Sequence, residues 1–389
     1  MATRAFPENV VLGIAARLPV KSIGRFKSVC KLWRHLFSTP EFLKLHQRHF
    51  SSDPKNQSII VHRSYNKSSD VSFVNIDSSA VKPSVIDYRD GDIVGCCNGI
   101  VCVSYGRVIV LLNPATMMFS KVPPSSLESC GPYFYERLSL GFGYDAGADD
   151  FKVVRFFRLK KQLNQRQDIV VYDDGVEVYS SSSGSWTTIA PGFQFIKLKS
   201  LSQFIVNGNP YWVAEVCGYD DYAVLLCFDV SKMVFRIVHL GGFEHDLDPQ
   251  FVEGKGSLSL GGFEHDLNPQ FVEWKGSLGA LVTTKNDDDD GERRVVKSID
   301  VWVFDDGEQI WRKNHTFAGP SEMNVNMFLE CSKNGKFVGE CADGRFFVFD
   351  KDTGFVNVVC LYNGAREPEC VEIYLYTESL AYIKGMRQV

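Results

Sequence analysis

From residue 93 onward one pattern recurs. A first hairpin turns on Asn-Gly or Lys-Gly; in a second, an apolar strand ends in Asp, Asn or Ser, turns, and returns through an aromatic residue. The copies span residues 93–123 (IVGCCNGIVCVS, then VIVLLNPATMMFSKVP), 140–189, 204–240, 271–317 and 328–362. Short runs rich in Val, Ile, Phe, Tyr and Trp, bounded by Gly, Asn and Asp, read as strands. Each copy therefore holds four strands, and the period of 40 to 60 residues is that of a β-propeller blade. Two stretches are left over, SIIVH with VSFVNI near residues 58–76 and CVEIYLYTESLAYI at 370–383. Joined in one sheet they make a sixth blade and close the ring, which removes the unpaired edges that invite aggregation. The expectation is a mainly β chain with six blades favoured and five or seven as rivals.

Residues 6–50 follow a different period. Val10, Val11, Ile14 and Leu18 recur at helical spacing, with Pro7 at the start, where a missing N–H is tolerated. Leu18-Pro19 ends that helix. A short turn from Val20 to Phe26 leads to a helix carrying Val29, Cys30, Trp33, Leu36 and Phe37, and Thr39-Pro40 supplies an N-cap and first helical position for a fourth. So small a unit buries too little to be very stable alone, and its apolar surplus points to a partner. The organisation expected is a helical module at 1–50, a linker with the first strands of the closing blade at 51–92, and the propeller at 93–389.

Charge divides the chain in the same place. The first 50 residues hold nine Lys or Arg against two Glu; with a net charge of −5 overall, the remainder is near −12. That argues against phosphate binding by the body of the chain, and the basic module has no row of cations interleaved with aromatics, so nucleic acid is not an expected partner. A membrane is not expected either, since no apolar run approaches 18 residues. The opening residues do not read as a signal peptide, and two helix-ending prolines with a buried-type Trp argue against an organelle transit peptide. A cytoplasmic or nuclear location is expected. Eleven cysteines without a CxxC pair fit reduced thiols, with Cys30, Cys102, Cys227 and Cys341 among apolar neighbours and expected in the core.

Catalytic and cofactor signatures are not found. No GxSxG, GxxxxGK[ST] or HExxH occurs, and no histidine pair with carboxylates has metal-ligand spacing. Gly141, Gly143 and Gly147 superficially resemble a dinucleotide loop, but strand residues rather than a helix follow them. Asp305-Asp306-Gly307 and Asp352-Thr353-Gly354 read as hairpin turns, and Asp287 to Asp290 as a solvated hairpin tip. LGGFEHDLDPQFVEGKGSL at 240–258 recurs as LGGFEHDLNPQFVEWKGSL at 260–278, a tandem duplication that also duplicates His245 as His265. Trp274 of the second copy is expected to pack in a blade, and the first copy to bulge out as a loop, a candidate for substrate contact or a tolerated insertion.

The N-terminal stretch resembles the F-box. RLPVKS, RFKxVCKxW and SxPxF stand in family order at family spacing, through Pro7, Glu8, Val10, residues 17–23, Arg25, Phe26, Lys27, residues 29–31, Trp33, Arg34, Pro40, Phe42 and His46. Phe6, Gly13 and Ala15 depart, standing where the family has Leu, an acidic residue and a larger aliphatic. The body, through NPAT, GFGYDxxxxDFKVVR and the segments after them to about residue 383, resembles the F-box-associated domain of plant F-box proteins, a kelch-like propeller, in the wide family that includes S-locus F-box proteins. The resemblance implies a non-catalytic substrate receptor of an SCF-type (Skp, cullin, F-box) ubiquitin ligase. It implies binding to the Skp adaptor, and through it to cullin, by Pro7, Leu18, Pro19, Val20, Ile23, Val29, Cys30 and Trp33, and presentation of a target protein by propeller loops, without a cofactor. The alternatives are a propeller enzyme with a helical cap, or a scaffold with no ligase role.

Overall fold

A computed structural model describes residues 7–65, 68–84, 91–129, 133–162, 169–190, 192, 196–198, 203–216, 222–240, 269–287, 294–320, 323–332, 335–341, 345–359 and 370–389. The chain divides into two compact units, Met1–Val122 with Pro368–Val389, and Pro123–Glu367. The helical module does not stand apart: it shares the first unit with the strands that follow it and with the C-terminal tail.

The first unit opens with helices α1 (Glu8–Ala15), α2 (Val20–Lys27), α3 (Lys31–Leu36) and α4 (Pro40–Ser52), the helical module expected. Strands β1 (Gln57–Tyr65), β2 (Ser68–Asn75) and β3 (Val81–Pro83) follow, then β4 (Asp92–Cys97), β5 (Ile100–Tyr105), β6 (Val108–Asn113) and β7 (Met118–Lys121). The second unit holds four sheets. They are β8 (Tyr133–Asp145), β9 (Asp150–Gln162), β10 (Ile169–Ser180) and β11 (Ser185–Ile189); β12 (Ile196–Leu198), β13 (Phe204–Val206), β14 (Asn209–Val216), β15 (Tyr222–Asp229) and β16 (Val234–His239); β17 (Gln270–Trp274), β18 (Ser277–Asp287), β19 (Arg294–Asp305) and β20 (Ile310–Ala318); and β21 (Val325–Cys331), β22 (Lys336–Cys341), β23 (Phe346–Asp350) and β24 (Val356–Val359). The tail returns to the first unit as β25 (Cys370–Thr377) and β26 (Arg387–Gln388).

The six sheets match the six blades read from the repeat. In the first, ordered β25-β1-β2-β3, β25 pairs antiparallel with β1 from Gln57↔Thr377 to Ser64↔Cys370, so the two left-over stretches do share one sheet. The next, β26-β7-β6-β5-β4, takes its fifth strand from the last residues of the chain.

Turn chemistry explains the recurrence. Asn98-Gly99, Asn207-Gly208 and Lys275-Gly276 all have positive φ, the geometry of a two-residue hairpin turn whose twist matches that of its strands. The second hairpin repeats a different device. In Asn113, Asp145, Asp229, Asp305 and Asp350 the side-chain Oδ1 accepts from the backbone N–H groups two and three residues on. The residue four positions on from each of these, Met117, Asp149, Met233, Gln309 or Gly354, then takes positive φ. A short polar side chain mimics a backbone turn, which is why each such strand ends in Asp or Asn.

Between sheets of the second unit, indoles reach across. Trp212 Nε1 donates to Leu140 O at 3.3 Å and Trp311 Nε1 to His239 O at 3.0 Å. These contacts explain the glycine-rich motif. A Cβ on Gly141 would lie 2.2 Å from the Trp212 ring, and one on Gly143 2.4 Å from the Gly208 carbonyl, which accepts from Tyr144 N. The glycines admit the neighbouring sheet, not a dinucleotide. Trp274 is buried in β17 and stacks on Phe337 at 6.0 Å, as expected of the second duplicated copy. The first copy, the loop expected of it, His245 and His265 lie outside the described residues, as do Asp288 to Asp290. Cys102, Cys227 and Cys341 are buried. Cys30 is exposed, contrary to expectation, because the start of α3 turns it outward.

Candidate docking site

Each helix of the module begins on a residue that the sequence supplies for the purpose. Pro7 and Pro19 stand at the N-caps of α1 and α2 with extended ψ; the Pro7 carbonyl accepts from Val10 and Val11 N, and the Pro19 carbonyl from Ser22 and Ile23 N. Cys30 caps α3, its Sγ accepting from Trp33 N at 3.4 Å. Thr39 Oγ1 accepts from Phe42 N at 3.3 Å, with Pro40 at the first helical position of α4.

The interior is an aromatic row. Phe26, Trp33, Phe37, Phe42, His46 and Phe50 follow one another with ring centroids 4.9 to 6.1 Å apart. His46 is fully buried, lies nearly parallel to Phe50, and its Nε2 sits 2.8 Å from the Leu18 carbonyl, so it is a donor there and the ring is neutral. Burial holds its pKa below the usual histidine value, and the nearby Lys27 charge pushes the same way, against that carbonyl bond. Ala15, Ala16, Val20, Ile23, Leu36, Phe37 and Phe42 make one buried cluster, and Leu380 from the tail completes it with Ala115 packed alongside.

Polar bonds tie this core to the sheet below. Asn113 Nδ2 donates to the carbonyls of Ser379 and Ala381 at 3.1 and 2.9 Å, while its Oδ1 holds the Ala115 turn. Ser379 Oγ donates to Asn98 O, Gln47 hydrogen-bonds the Asn98 side chain, and a Cβ on Gly99 would meet Ser379 Oγ at 2.3 Å. The NPAT and Asn-Gly motifs are thus seats for the module and tail as well as turns.

The expected docking residues divide. Pro7, Pro19, Val29 and Cys30 are exposed, and Leu18 and Trp33 are half-buried, Trp33 within the aromatic row. Val20 and Ile23 are buried at 2% and 0%, so they support the module from inside. Sequence reasoning left out three residues that the structure presents: Val10 at 42%, Ile14 at 61% and Leu32 at 66%. Leu32 lies off the stripe formed by Val29, Trp33 and Leu36, and an apolar residue off the buried stripe is the signal that marks it. With Val29 at 65%, four of the twelve large apolar side chains exposed among the described residues fall between residues 10 and 32. Such a concentration marks an interaction surface.

Beyond this face, no group of three or more His, Cys, Asp or Glu among the described residues is arranged to hold a metal. No described helix is long and apolar enough to cross a membrane.

Comparison with known families decides what the module is. A model of the F-box domain matches residues 5–45, and one of the F-box associated beta propeller domain matches residues 50–265. The chain belongs to the F-box associated propeller family. Its relatives include three proteins of Arabidopsis thaliana. F-box/kelch-repeat protein At3g23880 is 28% identical over 248 residues, covering 59% of this chain and 64% of its own. F-box protein CPR1 is 28% identical over 258 residues, covering 61% and 60%. F-box protein At5g49610 is 30% identical over 246 residues, covering 60% and 64%. Each match spans about three-fifths of the relative's length. Among solved structures, Pyrococcus horikoshii acylaminoacyl peptidase aligns with 80% of the chain and 51% of its own at 12% identity and a TM-score of 0.39, a likeness too slight to bear on fold or chemistry.

Proposed function

We propose that this chain is the substrate-recognition subunit of an SCF-type ubiquitin ligase, working in the cytoplasm or the nucleus. Its F-box holds a Skp adaptor, and through it a cullin, while the propeller binds a target protein for ubiquitination and degradation. The observation that carries the reading is the exposed apolar face of a module matched as an F-box, with Val29 and Leu32 two-thirds exposed although the core beneath them is complete. The contribution is proximity. Holding a target lysine near a loaded conjugating enzyme raises its effective concentration and asks no acid, base or nucleophile of this chain.

Co-purification with a Skp adaptor tests it. Val29→Asp and Leu32→Asp place charges on the outer face without touching the aromatic row, so they leave the fold intact. Each is expected to weaken adaptor binding ~30-fold, the ~2 kcal/mol of an interface anchor. A folded wild type that does not bind, or Asp variants that bind as well as it does, would sink the proposal.

A further inference from the structure

The second unit contains a cleft of ≈ 560 Å³ between the β12–β16 and β17–β20 sheets. Three hairpin turns border it: Asn207-Gly208, Lys275-Gly276 and the Asp305 to Glu308 turn. Asn207 holds two of them together, its backbone N–H donating to Glu273 and its side chain to Gly276 O. Val206, Tyr211, Leu278 and Phe304, all buried, line its apolar part. Such a mixture of apolar floor and few convergent polar groups, at this size, is that of a ligand pocket.

Its polar centre is Arg236. Tyr211, Cys227 and Arg236 stand side by side across β14, β15 and β16. The guanidinium is poorly satisfied: Nη2 faces only the Cys227 thiol at 3.7 Å, and Nε is buried without a partner. Nη1 donates to Asp306 at 3.1 Å, but Asp306 sits on the tip of its turn with its side chain 67% exposed, and Asp305, not Asp306, caps that turn. Arg312 on the same wall is paired with Asp305 and Glu308. A desolvated guanidinium short of acceptors is repaired by an anion, and a planar carboxylate matches its fork.

We propose that this cleft binds an acidic side chain of a target peptide, whose carboxylate exchanges with Asp306 on Arg236 while its stem lies on Tyr211 and Phe304. Displacing Asp306 into solvent leaves Arg236 uncompensated, so the site turns locally positive only when it is used. The net negative charge of the chain beyond its first 50 residues does not prevent this, because charges beyond ~8 Å are screened at physiological salt. It does select for an isolated acidic residue over a long acidic run. The inference rests on the proposed receptor role for its biological meaning, though not for its test.

The probe is a fluorescein-labelled decapeptide alternating glycine and glutamate, compared with its glutamine and lysine counterparts by polarisation on the full-length chain at physiological salt. The glutamate peptide is expected to bind ~10- to 100-fold more tightly than the glutamine one, the worth of a charge-assisted bond. Arg236→Met is expected to abolish the difference. Asp306→Asn, which leaves the turn cap in place, is expected to tighten glutamate binding, a gain that misfolding does not imitate. Equal binding of the three peptides, preference for lysine, absence of binding, or indifference to both substitutions overturns the proposal. Adaptor binding measured on the same samples separates the two ideas: the cleft stands if the adaptor fails to bind, and falls alone if only the peptide fails.

Discussion

Leu380 lies more than 300 residues from the F-box in sequence, yet its side chain, 8% exposed, is part of the F-box core. Truncating it to Ala removes three carbons, ~2.4 kcal/mol at ~0.8 kcal/mol per methylene. Ile23 at 0% and Phe37 at 1% exposure, closely packed around it, cannot relax to fill the gap, so the cavity adds to this within the ~2–5 kcal/mol seen for such truncations. A cost of about 3 kcal/mol is expected, ~100-fold in an equilibrium constant. It falls on a module of four short helices that opens locally more easily than the sheets. In hydrogen exchange read by mass spectrometry, Leu380→Ala is therefore expected to speed exchange of α2 and α4 amides ~100-fold and to leave β8–β11 unchanged. Tyr382→Ala, two residues on but 57% exposed, is the control and should change little. Exchange that quickens as much in β1 and β25 as in the helices would refute the reasoning, since the tail would then be holding the closing sheet and not the F-box.

Other consequences are as direct. A Cβ on Gly13 meets nothing within 4 Å, so Gly13→Ala should stabilise α1 by ~1 kcal/mol in a denaturant titration, whereas Gly141→Ala, driven 2.2 Å from Trp212, should destabilise the second unit by more than ~2 kcal/mol. Because buried His46 is held below its ordinary pKa of 6.5, the unfolded module binds the proton more readily than the folded one; stability is full above that pH and falls as pH drops beneath it, and melting curves from pH 7.5 to 5.5 should flatten in His46→Gln. Arg155, 2% exposed, pairs with Glu177 and Glu128 and stacks 4.1 Å above the Trp186 ring. Arg155→Met strands a buried Glu177 and is expected to cost ~3–5 kcal/mol by urea unfolding, and no measurable loss would show that Ser125 Oγ and water satisfy that carboxylate alone.

What the sequence could disclose tracks the range of the interaction involved. Asn98-Gly99 and Asn207-Gly208 announce their hairpins because positive φ is a local demand, and Asp229 and Asp305 announce theirs because an Asx turn closes within four residues. The sixth sheet was legible from two strands left without partners. Gly141 and Gly143 were misleading for the opposite reason: the groups that require them, Trp212 and Gly208, come from the next sheet more than sixty residues on. The docking face fell between. Period separates the faces of a helix, but when both are apolar it does not say which one turns inward. Hence Val20 and Ile23 proved internal while Ile14 and Leu32 were passed over. Arg236 was invisible as a site, since only strand register sets it beside Tyr211, and only the fold brings Asp306 to it.

The two departures from the F-box pattern that raised doubt about docking are resolved by where they lie. Ala15 is 3% exposed and faces the Leu380 cluster, so a small residue there alters internal packing and removes nothing from the outer surface. Gly13 has open space around its missing Cβ, so it lowers helix propensity without withdrawing an apolar contact; the face that remains is built by Val10 and Ile14 on either side of it. A cost in propensity acts on the folding of α1 and is recovered when a partner orders that helix, whereas a lost contact is not. Gly13→Ala should therefore tighten adaptor binding by at most the ~5-fold that ~1 kcal/mol of helix stability allows, and Ile14→Asp should weaken it regardless of which residue stands at 13. A Gly13→Ala chain whose adaptor affinity rises far beyond that limit would mean that residue 13 touches the adaptor, and the face would have to be redrawn around it.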